Sequence, residues 1–242
     1  MNFDKALPSG SAFLRIVFVM GFKTNLFALS DELPRTNILN YPPASAEETL
    51  AQLDKIWPGK FAFDSEETIE DGHNWYFHAV AFGPTLLFGT DDVYDLIEDP
   101  ALANDPRESW SLCINSVVDF CHYKTPTREL EASCEDYDFD MQRFFSSGRL
   151  LDFEVPFANG EHVEVLHPTD VAEWEQTHGS VAPKDKNGEV SYLFHPLELG
   201  NAAVKWIFGI EGETPLQDSV MDSLPDCSHV NGLPMYNFVE RR

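Results

Sequence analysis

The chain has 242 residues and carries 41 Asp or Glu against 16 Lys or Arg, a formal net charge of −25. Such a field repels nucleic acid and anionic membranes and attracts basic proteins. With 43% hydrophobic and 13% aromatic residues the chain can bury a core, which excludes a disordered acidic tail, and its length suits one large domain or two small ones.

Taken in order, residues 13–20 are rich in branched and aromatic side chains and read as a strand. Residues 33–43 hold three prolines and read as a loop. Ser45-Ala46-Glu47-Glu48 is a capping box, and Leu50, Leu53, Ile56 and Trp57 give the helix after it one apolar face, stopped by Pro58-Gly59. Phe61 and Phe63 suggest a short strand, residues 73–82 a longer one, and 85–88 another short strand or an extended approach to a helix. The stretch 61–106 holds 11 acids and no Lys or Arg. Within it, Thr90 or Asp91 is placed to cap a helix to about Glu98. Val93, Leu96 and Ile97 would face inward, and Asp91, Asp92, Asp95, Glu98 and Asp99 outward.

Asp105-Pro106 resembles a helix start. Trp110, Cys113, Ile114, Val117, Val118 and Cys121 follow at helical spacing, so a central core helix is predicted to run until just before Thr125-Pro126. Residues 127–140 are polar and read as an exposed loop or domain junction, and 140–147 as a short helix ended by Gly148. Residues 151–157 and 162–166 alternate apolar with acidic around Ala158-Asn159-Gly160, which predicts a hairpin with Asp152, Glu154 and Glu164 on its outer face. A short helix over 168–177, a strand over 189–194, a helix over 197–208 and a last strand around Tyr236, Phe238 and Val239 complete the reading. The fold class is α+β: a mixed or antiparallel sheet with hairpins, packed against several amphipathic helices. It forms a single globular domain over residues 1–242; if there are two subdomains, their junction falls near 125–140.

The chemical motifs are sparse. The histidines form no HExxH or His-x-His set, and no paired CxxC occurs, so no metal site is expected. Asp136, Asp138 and Asp140 open like a calcium loop, but Met141 and Ser147 stand where it needs Gly and Glu. Cys121 beside His122 fits an apolar helix face better than a nucleophile–base pair. Cys113 and Cys121, two helical turns apart, would be too distant for a disulfide. GxSxG, P-loop and GxGxxG motifs are absent. No cofactor and no enzymatic activity are expected.

Reduced thiols, the lack of a signal-peptide pattern and the lack of an apolar run of about 20 residues give the expectation of a cytoplasmic protein without a membrane span. Charge then carries the functional reading: an inhibitor that binds a basic protein, of the immunity type, covering the active cleft of a cognate toxin such as a nuclease, without binding nucleic acid itself. Asp91, Asp92, Asp95, Glu98 and Asp99 are the first candidate contacts, and Asp152, Glu154 and Glu164 the second. Three alternatives stand beside it: a nucleic-acid mimic that blocks a host DNA- or RNA-binding protein, an enzyme with an unfamiliar site, and a structural or assembly subunit with a large apolar patch and a defined oligomer.

Overall fold

The computed structural model describes residues 23–68, 77–90, 97–115, 120–133, 143–158, 164–165, 171, 175–176, 191–192, 196–210 and 234–241. Their centre is one antiparallel sheet of nine strands: β1 (Lys23–Ser30), β2 (Phe61–Thr68), β3 (Phe77–Phe82), β4 (Thr85–Thr90), β5 (Glu108–Asn115), β6 (Phe120–Lys124), β7 (Arg128–Ser133), β8 (Arg143–Gly148) and β11 (Pro234–Glu240). Across the sheet the order is β2-β11-β3-β4-β1-β5-β6-β7-β8. A separate pair joins β9 (Glu164–Val165) to β10 (Ser191–Tyr192). The helices are α1 (Pro34–Asn40), α2 (Ala46–Ile56), α3 (Val155–Ala158) and α4 (Pro196–Phe208). A large antiparallel sheet with a few helices is a mixed α/β fold dominated by its sheet. No described helix is long and apolar enough to cross a membrane.

The strand registers assign each helix to a face. Ile114 on β5 lies opposite Cys121 on β6 and Thr24 on β1. Gly200 of α4 sits against Ile114 and Cys121, where a Cβ would come within 3.0 Å of Ile114 and 3.2 Å of the Cys121 sulfur. On this first face, Asn37 of α1 donates to Thr85 Oγ1 (3.0 Å), and the Ser30 and Thr85 hydroxyls share a 2.6 Å bond. The second face belongs to α2. Trp57, at its C-terminus, meets Phe61, Phe77 and Phe88 edge-on, with centroids 5.5–6.1 Å apart, and Phe61 stacks on Phe77 at 4.5 Å. The segment leading into α2 also completes the edge of β3 beyond its pairing with β11. Ala44 N–H donates to Ala81 O (2.8 Å), and Ala81 N–H donates to Thr49 Oγ1 (3.3 Å).

Coverage on one face or two sets the sequence pattern of each strand. In β4, between α1 and α2, every residue is buried. In β7 burial alternates strictly, Arg128, Leu130 and Ala132 inward with Glu129, Glu131 and Ser133 half-buried between them.

Several expected elements are borne out: the capped α2, short strands at Phe61 and Thr85, the helix ending at Phe208 and the last strand. Others are corrected. The predicted core helix is the β5–β6 hairpin. Trp110, Leu112 and Ile114 form a buried period-2 row, and Cys113 points to the opposite face. Cys113 and Cys121 therefore lie on opposite faces, and neither forms a disulfide among the described residues. The segment read as a loop or junction contains β7 and continues the sheet, and the predicted helix over 140–147 is β8 where it is described. The first arm of the predicted 151–166 hairpin is a 3-10 turn (Asp152–Glu154) followed by α3. Phe153 and Phe157, four residues apart, are both buried, so helical spacing prevails over alternation there. Glu164 does lie in a strand, but its partner is Tyr192. The loop read over 33–43 contains α1, with Pro34 opening it. The predicted strand at 13–20, the predicted helix residues 91–96 and strand residues 73–76 lie outside the described residues.

The end of β8, where Gly148 pairs with Arg128 at the start of β7, depends on that glycine. It has φ +87°, and an added Cβ would lie 2.0 Å from the Thr127 carbonyl oxygen. Gly148→Ala is therefore expected to cost at least about 1–3 kcal/mol, seen as a lower urea midpoint at unchanged m-value.

Candidate partner-binding surface

The acids named from the sequence do not form one group. Asp91, Asp92 and Asp95 lie outside the described residues. Glu98 is exposed. Asp99 is half-buried and structurally engaged: its Oδ2 accepts from the Trp57 indole N–H at 3.0 Å and its Oδ1 from Ala101 N–H at 2.7 Å. Asp152 is exposed, but it follows the chain onto the first face, whereas Trp57 holds Asp99 on the second. Glu164 lies in the separate two-stranded pair.

Glu154 is a correction. Expected on an outer face, it is 2% exposed. Its Oε1 accepts from Tyr123 O–H (2.6 Å), Arg128 Nε (2.9 Å) and Arg128 Nη2 (2.7 Å), and its Oε2 accepts from Leu151 N–H. Arg128 is itself 3% exposed and also donates to Ser147 O at 3.1 Å. Burial, and then the Glu154 charge, push the Tyr123 phenol far above its ordinary range, so it serves as a permanent donor. Every strong acceptor position on this carboxylate is filled, leaving it nothing to offer a partner.

The second engaged cation is Arg107. Its Nε and Nη2 grip Asp105 at 2.9 and 2.8 Å, and its Nη1 donates to Gln52 Oε1 (3.2 Å) and Pro84 O (3.1 Å). This fork ties the start of β5 to α2 and to the β3–β4 turn. It forms the floor of an open cleft of about 580 Å³, also lined by Asp31, Lys55 and Asn104. The guanidinium beside Asp105 holds that carboxyl below its usual range.

On the other side of α2, acids and aromatics come together. Glu66 on β2 lies opposite Tyr236 on β11, and Glu48 stands on the first turn of α2. Burial, followed by the charges of Glu66 and Glu48, raises the Tyr236 phenol above its ordinary range, which places both carboxylates within electrostatic reach of one hydroxyl. That hydroxyl donates to Ala44 O at 3.0 Å. Phe63, 46% exposed, packs edge-on against Tyr236 and Phe238, and Glu47 and Glu48 are exposed. Glu48 stays ionised because the Ser45 backbone N–H and hydroxyl donate to it. Sequence reading assigned Glu48 to the capping box alone. The signal for the patch was Phe63-Asp64-Ser65-Glu66, an apolar residue among acids on a strand, but only the fold brings it to α2.

On the second face of β5–β7, Cys113 lies directly opposite His122, and His122 Nε2 shares a 3.3 Å contact with Glu129 Oε1. Cys121, the thiol considered beside His122, faces α4; burial raises its pKa far above the ordinary thiol value. Among the described residues no cluster of His, Cys, Asp and Glu has the geometry of a metal site.

No family model matches the chain, and neither the curated proteins nor the solved structures contain a significant match.

Two outcomes follow from the engaged arginines. Arg128→Met leaves a buried carboxylate without its counter-ion and is expected to cost about 3–5 kcal/mol, measured by urea unfolding. Asp105 has a folded-state pKa below its unfolded value. Its contribution is complete above the unfolded pKa and is lost as pH falls through the folded one. Asp105→Asn should therefore destabilise the protein at neutral pH and flatten the acid limb of stability against pH, leaving a smaller difference from wild type at low pH.

Proposed function

We propose that the protein is a non-catalytic inhibitor of the immunity type, which captures a basic protein partner, such as a toxin nuclease, and covers the partner's cationic cleft. The supporting observation is where the charges are used. Of a small complement of cations, Arg107 and Arg128 are committed to internal carboxylates, Lys205 is buried, and Arg35 lies over the Trp206 ring at 4.8 Å. Each internal pair takes one positive and one negative charge out of the surface, so the net charge of −25 is unchanged and the outer acids carry it without these two arginines among them.

A field of that sign steers a basic partner and raises its association rate by roughly 10–10³-fold. Long-range steering needs an anchor to become a lasting complex, and interface energy concentrates in a few buried aromatic or arginine contacts. The patch of Glu47, Glu48, Glu66, Phe63 and Tyr236 has that composition. Glu48 and Glu66 would pair with partner Lys or Arg, while Phe63 would enter the partner's surface. Asp91, Asp92 and Asp95 remain the first sequence candidates, with Glu98 and Asp152 as peripheral charges.

The test is capture from the native lysate at low salt, elution with rising salt, and identification by mass spectrometry. A single stoichiometric basic protein is expected, whose association rate falls steeply with ionic strength. Glu48→Gln with Glu66→Gln should weaken capture, as should Asp91→Asn with Asp92→Asn and Asp95→Asn if that segment contributes. A set of unrelated nucleic-acid-binding proteins would point to mimicry, and the absence of any specific partner would overturn the proposal.

A further inference from the structure

An open sheet has two ends, and here they are β2 and β8. Among the described residues no strand lies outside either of them. With respect to the described residues, each is an edge strand, whose outward backbone N–H and C=O groups are suited to pairing with another strand. Edges are commonly protected by lysine, proline, a bulge or a covering element; neither strand contains Lys or Pro, and β2 carries one register shift in its pairing with β11. Phe63 on β2 is 46% exposed and Phe145 on β8 is 57% exposed, and all residues from 145 to 150 are exposed.

The two edges differ in charge. On β2, Asp64 and Glu66 are exposed and no base is present. The segment 143–150, Arg-Phe-Phe-Ser-Ser-Gly-Arg-Leu, has two arginines and no acid, in a chain where acids outnumber bases 41 to 16. The edges are also related by direction. Eight successive antiparallel pairings separate β2 from β8, so the two strands run the same way. Phe145 lies in the row of Glu131, His122, Cys113 and Asn25, on the second face of the sheet. Phe63, against Tyr236 and Phe238, is on that same face.

From these features we infer that the protein self-associates head to tail, the acidic β2 edge of one copy adding to the basic β8 edge of the next. Backbone hydrogen bonds supply the contact, and the charges select the edges. Two β2 edges would oppose acid to acid, and two β8 edges arginine to arginine; β2 with β8 joins opposites. Continuing the sheet from one copy into the next, by a translation combined with the rotation that the strand twist requires, pairs the strands in parallel and places Phe63 and Phe145 on one face. Contacts of this kind are heterologous and propagate into an open chain instead of closing as a dimer. The net charge of −25 opposes approach at low ionic strength. At physiological salt, repulsion beyond about 8 Å is largely screened while close contacts survive, so assembly strengthens between those conditions.

The experiment is sedimentation velocity with light scattering on purified protein over a wide concentration range, at low and physiological salt. No other partner is present, so its outcome is independent of the inhibitor reading. Wild type is expected to reach masses above a dimer as concentration rises. Asp64→Lys with Glu66→Lys makes both edges basic, and Phe145→Glu with Arg149→Glu makes both acidic. Each variant alone should stay monomeric, and mixing them should restore association, because every mixed contact joins unlike edges. A wild type that remains monomeric throughout, a variant that assembles alone as wild type does, or a mixture that fails to assemble would each overturn the inference.

Discussion

A buried carboxylate has to be held on all sides, and Glu154 is held by three different parts of the chain. Tyr123 comes from β6, Arg128 from β7 and Leu151 from the turn after β8. None of the three could move outward without exposing the others to an uncompensated charge in a low-dielectric interior. The network also seats Phe153, which packs on Tyr123 at 5.6 Å and on Trp206 of α4 at 5.5 Å. One ion pair thereby fixes the register of β6 and β7, the course of the chain after β8 and the position of α4 over that half of the sheet. The other half uses apolar contact for the same purpose, with Trp57 packed among Phe61, Phe77 and Phe88.

How much of this was legible depended on how many faces of each strand are covered. Local chemistry sufficed for α2: the Ser45–Glu48 box and the break at Pro58-Gly59 act within a few residues and were read correctly. The β5–β6 hairpin was misread because Trp110, Cys113, Ile114 and Cys121 satisfy a helical period by accident. Cys113 counts as apolar in a pattern, but it stands opposite His122, on the other face of the sheet from Ile114 and Cys121. β7 was missed for the opposite reason. Arg-Glu-Leu-Glu-Ala-Ser looks like a polar connection until Arg128 is recognised as a core residue, and that requires a carboxylate 26 positions away. Where a polar side chain is buried through a distant partner, periodicity reads it as surface.

The same limit applies to the candidate surface. Sequence counts every acid as external charge, but Glu154 is a core residue and Asp99 and Asp105 hold neighbouring backbone and side chains. Removing Glu154 and Asp105 from the list leaves the net surface charge unchanged, because Arg128 and Arg107 leave it with them, whereas Asp99 binds only the Trp57 indole and the Ala101 N–H. The patch around Tyr236 was not legible, since Glu48, Phe63 and Tyr236 come from well-separated parts of the chain. It exists because β11 inserts between β2 and β3 and carries Tyr236 beneath the start of α2.

The nine antiparallel strands of the described residues have a consequence that an even number lacks: the two edges run in the same chain direction, so a further copy can continue the sheet with parallel pairing once the strand twist is carried across. In most proteins exposed edges are harmless because they are short, charged, bulged or covered. Here the field that keeps copies apart is spread over the whole molecule, whereas the attraction between Asp64 or Glu66 and Arg149 acts only at short range. Ionic strength weakens the first far more than the second. Net charge and edge charge thus pull in opposite directions, and the balance between monomer and assembly is set by screening as much as by concentration.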